Sequence, residues 1–284
     1  MPDPTGIGRR VIDEVASQLS TTIVDLLPMQ TVTGTEKDSV QAAQEMQRRN
    51  FSCIVVLGGD GTCRAAAKGV GKLPMIPLST GTNNVFPQTI ESTLAGMAAA
   101  YLSNDTVHPD HCCDRRPVLQ LRRNGSVEDI ALVDLVTVDG SNSGVQAVWE
   151  TSMIRELFLA DASPTNLGLS SIGGWLDPLR FNDASALYVE VCAPDESSGA
   201  VRQILVPLVP GLIQEVPIKR YLRFSRVHPL ETGAGSRVAC LDGERHIHLS
   251  SRDDWSVTYV REAVSVVNVR RTLDLAQTAL SPTQ

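Results

Sequence analysis

Two short segments of this sequence combine glycines, hydroxyls and a carboxylate in an order that suits phosphate chemistry. The first is Gly58-Gly59-Asp60-Gly61-Thr62, launched from the apolar run Ile54-Val55-Val56-Leu57. That run is short and rich in β-branched residues, which predicts a parallel strand covered on both faces. Glycines let the backbone turn sharply and approach a ligand, because no Cβ intervenes. Their N–H groups can wrap phosphate oxygens, and a helix starting near Thr62 adds its positive end. An aspartate in such a loop repels phosphate, so Asp60 is read as a metal ligand or a proton acceptor. A phosphate loop with its own carboxylate points to phosphoryl transfer to a hydroxyl.

The second segment is Ser79-Thr80-Gly81-Thr82-Asn83-Asn84, after another short apolar strand. Consecutive strands of a parallel sheet end on one edge, so the two loops meet in a joint site. Thr80, Thr82, Asn83 and Asn84 offer donors and acceptors for ribose or phosphate oxygens. Read alone, the segment is a turn and a helix cap. A third candidate is Asp242-Gly243-Glu244, which reads first as a hairpin turn.

The elements that must position these residues change character along the chain. Residues 8–20, 36–49, 62–70 and 88–102 carry helical periodicity. Residues 22–27, 54–57 and 75–78 read as strands. This alternation predicts an α/β domain over residues 1–112, a Rossmann-like parallel sheet. The chain opens on a helix where such a fold usually opens on a strand, so the expected sheet lacks its first strand. From residue 113 to 270 the pattern becomes β-rich and sandwich-like. Strands are predicted at 118–121, 129–138, 187–191, 201–206, 221–227, 238–240, 245–249, 255–260 and 264–269, with one helix at 146–160. A closing helix and tail occupy 271–284.

The chain has 284 residues, 42% hydrophobic and 20% charged, which is ordinary for a soluble globular protein. A net charge of −7 and 4% aromatic residues argue against a nucleic-acid partner. No run reaches the ~20 apolar residues that span a bilayer, so no membrane partner is expected. The N-terminus lacks a signal-peptide core, and a cytoplasmic location is the expectation. Six scattered cysteines, two of them adjacent, read as reduced thiols. His108, His111, Cys112 and Cys113 resemble a metal cluster by composition only, without zinc-site spacing. Gly69-Val70-Gly71-Lys72 is not a Walker A sequence.

Gly58-Gly59-Asp60-Gly61-Thr62 is the defining motif of the NAD kinase and diacylglycerol kinase superfamily, and this chain resembles it. Cys63-Arg64-Ala65-Ala66 resembles the continuation found in NAD kinases. Gly81-Thr82-Asn83-Asn84 is similar to the lipid-kinase motif, without the acidic residue that follows in both branches. The whole run from Pro77 to Pro87 most resembles the acetoin-catabolism protein X family, which is ATP–NAD kinase-like. The opening residues look internal to longer relatives, which carry an earlier strand and an Asn-Pro-x-Ser-Gly loop.

The resemblance implies that Asp60 is catalytic and holds Mg²⁺ through ATP. It implies ATP-phosphate contacts at Gly58, Gly59, Gly61, Thr62, Thr80, Gly81 and Thr82. It implies substrate contacts at Arg64, Asn83, Asn84, Ser170, Ser171, Asp242 and Glu244. Ser170 and Ser171 lie in Gly168–Gly174, which either stands where NAD kinases place a substrate loop, with different letters, or is an ordinary flexible loop. Asp242 and Glu244 stand in an Asp-Gly-Glu turn that the superfamily points at its active site. The expected reaction is transfer from ATP to the adenosine-ribose 2′-hydroxyl of NAD, giving NADP. The expected partners are small-molecule nucleotides, and the resemblance also implies a homo-oligomer. Two rival readings stay open: a lipid or sphingoid-base kinase, and a nucleotide-binding regulator without catalysis.

Overall fold

The structure is a computed structural model and describes residues 6–16, 18, 24–29, 31–140, 151–193, 199–232 and 237–281. It is a mixed α/β fold built on two sheets. Helix α1 (Ile7–Ala16) precedes α2 (Glu36–Arg48), β1 (Ile54–Gly58), α3 (Asp60–Val70), β2 (Met75–Ser79), α4 (Ser92–Ser103) and α5 (Pro109–Cys112). Then come β3 (Cys113–Arg123), β4 (Ser126–Ala131), β5 (Asp134–Asp139), β6 (Ile154–Leu159) and α6 (Ser170–Leu176). The rest is β7 (Ala186–Val191), β8 (Arg202–Val209), β9 (Leu212–Phe224), β10 (Val227–Pro229), β11 (Arg237–Leu241), β12 (Arg245–Leu249), β13 (Trp255–Val267) and α7 (Val269–Leu280).

The first sheet runs β1-β2-β13-β3-β4, with β10 also on β13. β1, β2 and β13 are parallel, and β13, β3 and β4 are antiparallel. The second sheet is antiparallel and runs β12-β11-β5-β6-β7-β9-β8. β13 therefore closes the parallel sheet with chain from the far end of the sequence: Val266 pairs with Met75.

Helices α2 and α3 cover one face of β1 and β2, where Ala43, Cys63, Ala66 and Val70 pack on Ile54 and Val56. Helices α4 and α7 cover the other face at β2 and β13, through Ala95, Ala98, Val269 and Ala276. Between the two sheets lies an aromatic core. Phe158 stands edge-on to Phe224 at 5.8 Å, and Tyr188 stacks on His228 at 4.1 Å. Beyond the second sheet, Ile172 and Leu176 of α6 fill the outer core with Leu157, Leu187 and Val189. All six cysteines are free, and Cys63, Cys112, Cys192 and Cys240 are buried.

Several expectations are corrected. β1 is an edge strand covered on one face only, and Val55 and Leu57 are exposed, because α4 and α7 lie over β2 and β13. Residues 24–27 form no strand, and 22–23 lie outside the described residues. In its described part the predicted helix at 146–160 is a single 3-10 turn at Thr151–Met153 followed by β6, with 146–150 outside the described residues. Its apolar run is paired on both sides, by β5 and β7. The predicted strand 129–138 is two strands, broken at Leu132 and Val133. No helix of the described residues is long and apolar enough to cross a membrane.

Candidate active site

β1 delivers Gly58 and Gly59 to the end of the sheet, and α3 begins at Asp60 with Gly59 as its cap. Space there is tight. A Cβ on Gly58 would stand 2.6 Å from Thr62 Oγ1, and one on Gly59 would stand 2.7 Å from Asn84 Oδ1. A Cβ on Gly61 would collide with the Glu244 carboxylate. At Gly58 the obstacle includes Thr62 Cβ, which cannot swing aside, so only hydrogen fits there; at Gly59 and Gly61 the neighbours are side-chain ends that would have to move.

β2 ends at Ser79, in register with Gly58, so its loop leaves from the same edge. Asn84 Nδ2 donates to Ser79 Oγ at 2.8 Å and folds the loop back. The Phe86 N–H then donates to Asp60 Oδ1 at 2.7 Å, and the Val85 N–H donates to both oxygens at 3.2 and 3.1 Å. The backbone of the second loop thus holds the carboxylate of the first. Burial raises the Asp60 carboxyl above its ordinary value. The Phe86 and Val85 N–H groups oppose that, and the charges of Glu244 and Asp161 add to it.

The Asp242-Gly243 turn joins β11 to β12, with φ of 49° and 69° at its two central residues. Positive φ at both positions is the hairpin geometry that Asp-Gly favours. Asp242 Oδ1 accepts N–H groups from Leu132 at 3.0 Å, Val133 at 2.8 Å and Asp134 at 3.2 Å. The break between β4 and β5 thereby anchors the hairpin tip. Burial pushes the Asp242 carboxyl up to about 7, against the Leu132 and Val133 N–H groups; Asp60 adds to the rise and Arg64 opposes it.

These pieces surround a cavity of about 170 Å³. Asp60, Asp134 and Asp242 line its acidic side, with Asn83 and Ser170 beside them. Val85, Leu169 and Leu208 line an apolar side. A larger cavity, about 370 Å³, lies by α5, α7 and the bulge in β13, and none of the three loops reaches it. The smaller one is the candidate site, because it joins the loops that carry the chemistry.

Two family models match separate stretches of the chain. Residues 117–262 match the family model of the acetoin catabolism protein X C-terminal domain. Residues 11–106 match the model of the ATP-NAD kinase N-terminal domain. The acetoin catabolism protein X of Cupriavidus necator (strain H16) is 32% identical over 277 residues, covering 95% of this chain and 76% of that protein. The chain belongs to the acetoin catabolism protein X family. Among solved structures, yeast NADH kinase complexed with NADH gives a TM-score of 0.46 at 15% identity, covering 97% of this chain and 78% of that one. An NAD kinase from Archaeoglobus fulgidus in complex with ATP gives 0.40 at 14% identity, covering 99% and 97%.

In this member of the acetoin catabolism protein X family, four residues singled out in the sequence line the cavity: Asp60, Asn83, Ser170 and Asp242. Gly58, Gly59, Gly61 and Thr62 form the adjoining turn, and Glu244 covers Gly61. Thr80, Gly81 and Thr82 are exposed on the second loop and do not line the cavity, while Asn84 shapes that loop. Two residues are turned elsewhere. Ser171 donates to Gly168 O at 2.6 Å, and Arg64 is buried among carboxylates. The predicted loop at Gly168–Gly174 is a helix from Ser170 onward, with Gly168 at φ +95° leading into it. Gly173 and Gly174 pack this helix against Leu159 and the Ser163 backbone.

Asp134 is the residue that the sequence reading missed. It is buried, its Oδ1 has no hydrogen-bond partner among the described residues, and it lines the cavity. Burial, then the charges of Asp242 and Asp60, raises its carboxyl well above the usual range. The signal was a carboxylate inside an otherwise apolar run, Leu132-Val133-Asp134-Leu135-Val136.

Proposed function

We propose that this protein transfers the γ-phosphoryl group of ATP to a hydroxyl, with the 2′-hydroxyl of the adenosine ribose of NAD as acceptor. The carrying observation is the Asp60 carboxylate, held by the Val85 and Phe86 N–H groups at the mouth of a glycine turn and facing an acidic cavity. The glycine turn and the start of α3 suit the ATP phosphates, since backbone N–H groups and the helix end both favour anions. The acceptor oxygen attacks the γ-phosphorus in line, the bond to the β-phosphate oxygen breaks, and ADP departs. The hydroxyl proton goes to Asp60. Its raised carboxyl favours that role, because a base works best with its pKa nearer the working pH.

The cavity is lined by carboxylates and no lysine or arginine. It therefore suits a neutral, hydroxylated ring better than a phosphate.

Among the described residues, no group of three or more His, Cys, Asp or Glu is arranged to hold a metal ion. The donor set fits Mg²⁺ carried by ATP, which takes phosphate and water oxygens plus one or two carboxylates. Asp60 would supply the carboxylate, and when it does so it orients the hydroxyl instead of taking its proton. When bound, Mg²⁺ neutralises charge on the phosphoryl oxygens. The free thiols suit a reducing cytoplasm.

The test is one assay: purified protein, ATP and Mg²⁺ with either NAD or diacylglycerol, following NADP or phosphatidate. NADP formation is the expected result. Phosphatidate instead of NADP would replace the acceptor, and neither product would overturn the catalytic reading.

A further inference from the structure

We infer that Arg64 is a positioning residue: from within a buried ion cluster it fixes the Asp242-Gly243-Glu244 turn against the start of α3. The activity readout of this inference rests on the phosphoryl-transfer reading; its structural readout does not.

Arg64 stands four residues after Asp60 on α3, so both side chains leave the same face of the helix. Its side chain is 3% exposed. Nη2 donates to Glu36 Oε2 of α2 at 2.9 Å, and Nη1 donates to Asp129 Oδ1 of β4 at 3.4 Å. Nε is buried, lacks a hydrogen-bond partner among the described residues, and lies 3.8 Å from Asp242 Oδ2. A buried donor without an acceptor is costly, and at 3.8 Å the Asp242 carboxylate offsets that by charge attraction and not by a hydrogen bond. Asp242 is thus caught between Arg64 on one side and the N–H groups of Leu132, Val133 and Asp134 on the other. Two residues on, the Glu244 carboxylate lies over Gly61, next to Asp60.

Lys68 is the internal control. Its Nζ lies 2.8 Å from Asp129 and 3.4 Å from Glu36, so it shares two of the three carboxylates. Arg245 also reaches Asp129, at 3.3 Å. Asp129 of β4 is therefore met by three cations and Glu36 of α2 by two, yet the contact to Asp242 belongs to Arg64. The rigid guanidinium fork can address three carboxylates at fixed angles, and an ammonium cannot.

The experiment compares Arg64→Lys with Lys68→Met in the full chain, with folding checked by thermal melts and Arg64→Gln as the second variant if Arg64→Lys fails to fold. Arg64→Lys is expected to keep ATP affinity and to lose roughly 10- to 100-fold in kcat, the effect of displacing reacting groups by about an ångström. Amide hydrogen exchange at Asp242 and Glu244 should quicken in the same variant. Lys68→Met should leave kcat and those amides as in the wild type. Unchanged exchange in the Arg64 variants, or equal acceleration in Lys68→Met, would overturn the inference. If wild type transfers no phosphoryl group, the functional reading fails, and the exchange comparison still decides the role of Arg64.

Discussion

At the scale of single residues, the site sets buried carboxyl groups beside one another and lets each meet a different partner. Asp60 meets backbone N–H groups, Asp242 meets N–H groups and Arg64, and Asp134 meets neither at Oδ1. Asp60→Asn retains an oxygen for the Phe86 N–H but cannot take a proton. Activity should fall by about 10²–10⁴ with the melting temperature held, the usual loss of a general base. Wild-type turnover in that variant would remove Asp60 from the role.

Glu156 shows the same physics away from the site. Burial pushes its carboxyl up to about 7, with Arg237 and the Thr137 hydroxyl opposing. Folding thus raises its proton affinity. Its contribution to stability is full below the unfolded value of 4.5 and is lost as pH rises through about 7. Glu156→Gln should remove that slope. Urea midpoints at pH 5 and pH 8 should show the wild type losing more than the variant, and parallel losses would contradict it.

At the scale of elements, the two loops and the hairpin turn work as one unit, because the second loop's Val85 and Phe86 N–H groups hold Asp60 of the first and Glu244 of the hairpin lies over Gly61. Gly59→Val tests this. Its side chain would meet the Asn84 amide at the joint between the loops. ATP affinity measured by calorimetry should drop sharply while the fold survives, and unchanged affinity would reduce the loop to a simple turn. Both loops were legible in the sequence because a strand, a glycine turn and a helix cap each carry a local signal. β6 was not. Ile154, Leu157 and Phe158 are spaced as on a helix, and a short apolar run does not reveal its period. The exposure of Val55 and Leu57 was equally hidden, since it depends on where β1 sits in the sheet. The partners of Arg64 are Glu36, Asp129 and Asp242, far apart along the chain. No local pattern announces such a cluster, so the arginine was read as a substrate contact.

At the scale of the whole molecule, the sequence suggests a division near residue 113, and the sheets cross it. β13 lies between β2 and β3, so one sheet joins chain from both sides of that point. The aromatic core then ties this sheet to the second one. Unfolding in urea should therefore be a single transition. Tryptophan fluorescence and far-UV circular dichroism should coincide, as two-state behaviour requires. Two separated transitions would show that the halves fold independently.

The buried cysteines give this architecture a built-in set of clocks. Alkylating reagents need a thiolate, and burial pushes Cys63 and Cys240 up to about 12. Cys63 lies in the core under α3, Cys112 among the outer helices, and Cys240 in the core under α6. Each sulfur is silent until its own layer opens. The order in which a mass spectrometer finds them labelled would read out, without any substitution, which layer of the molecule breathes first.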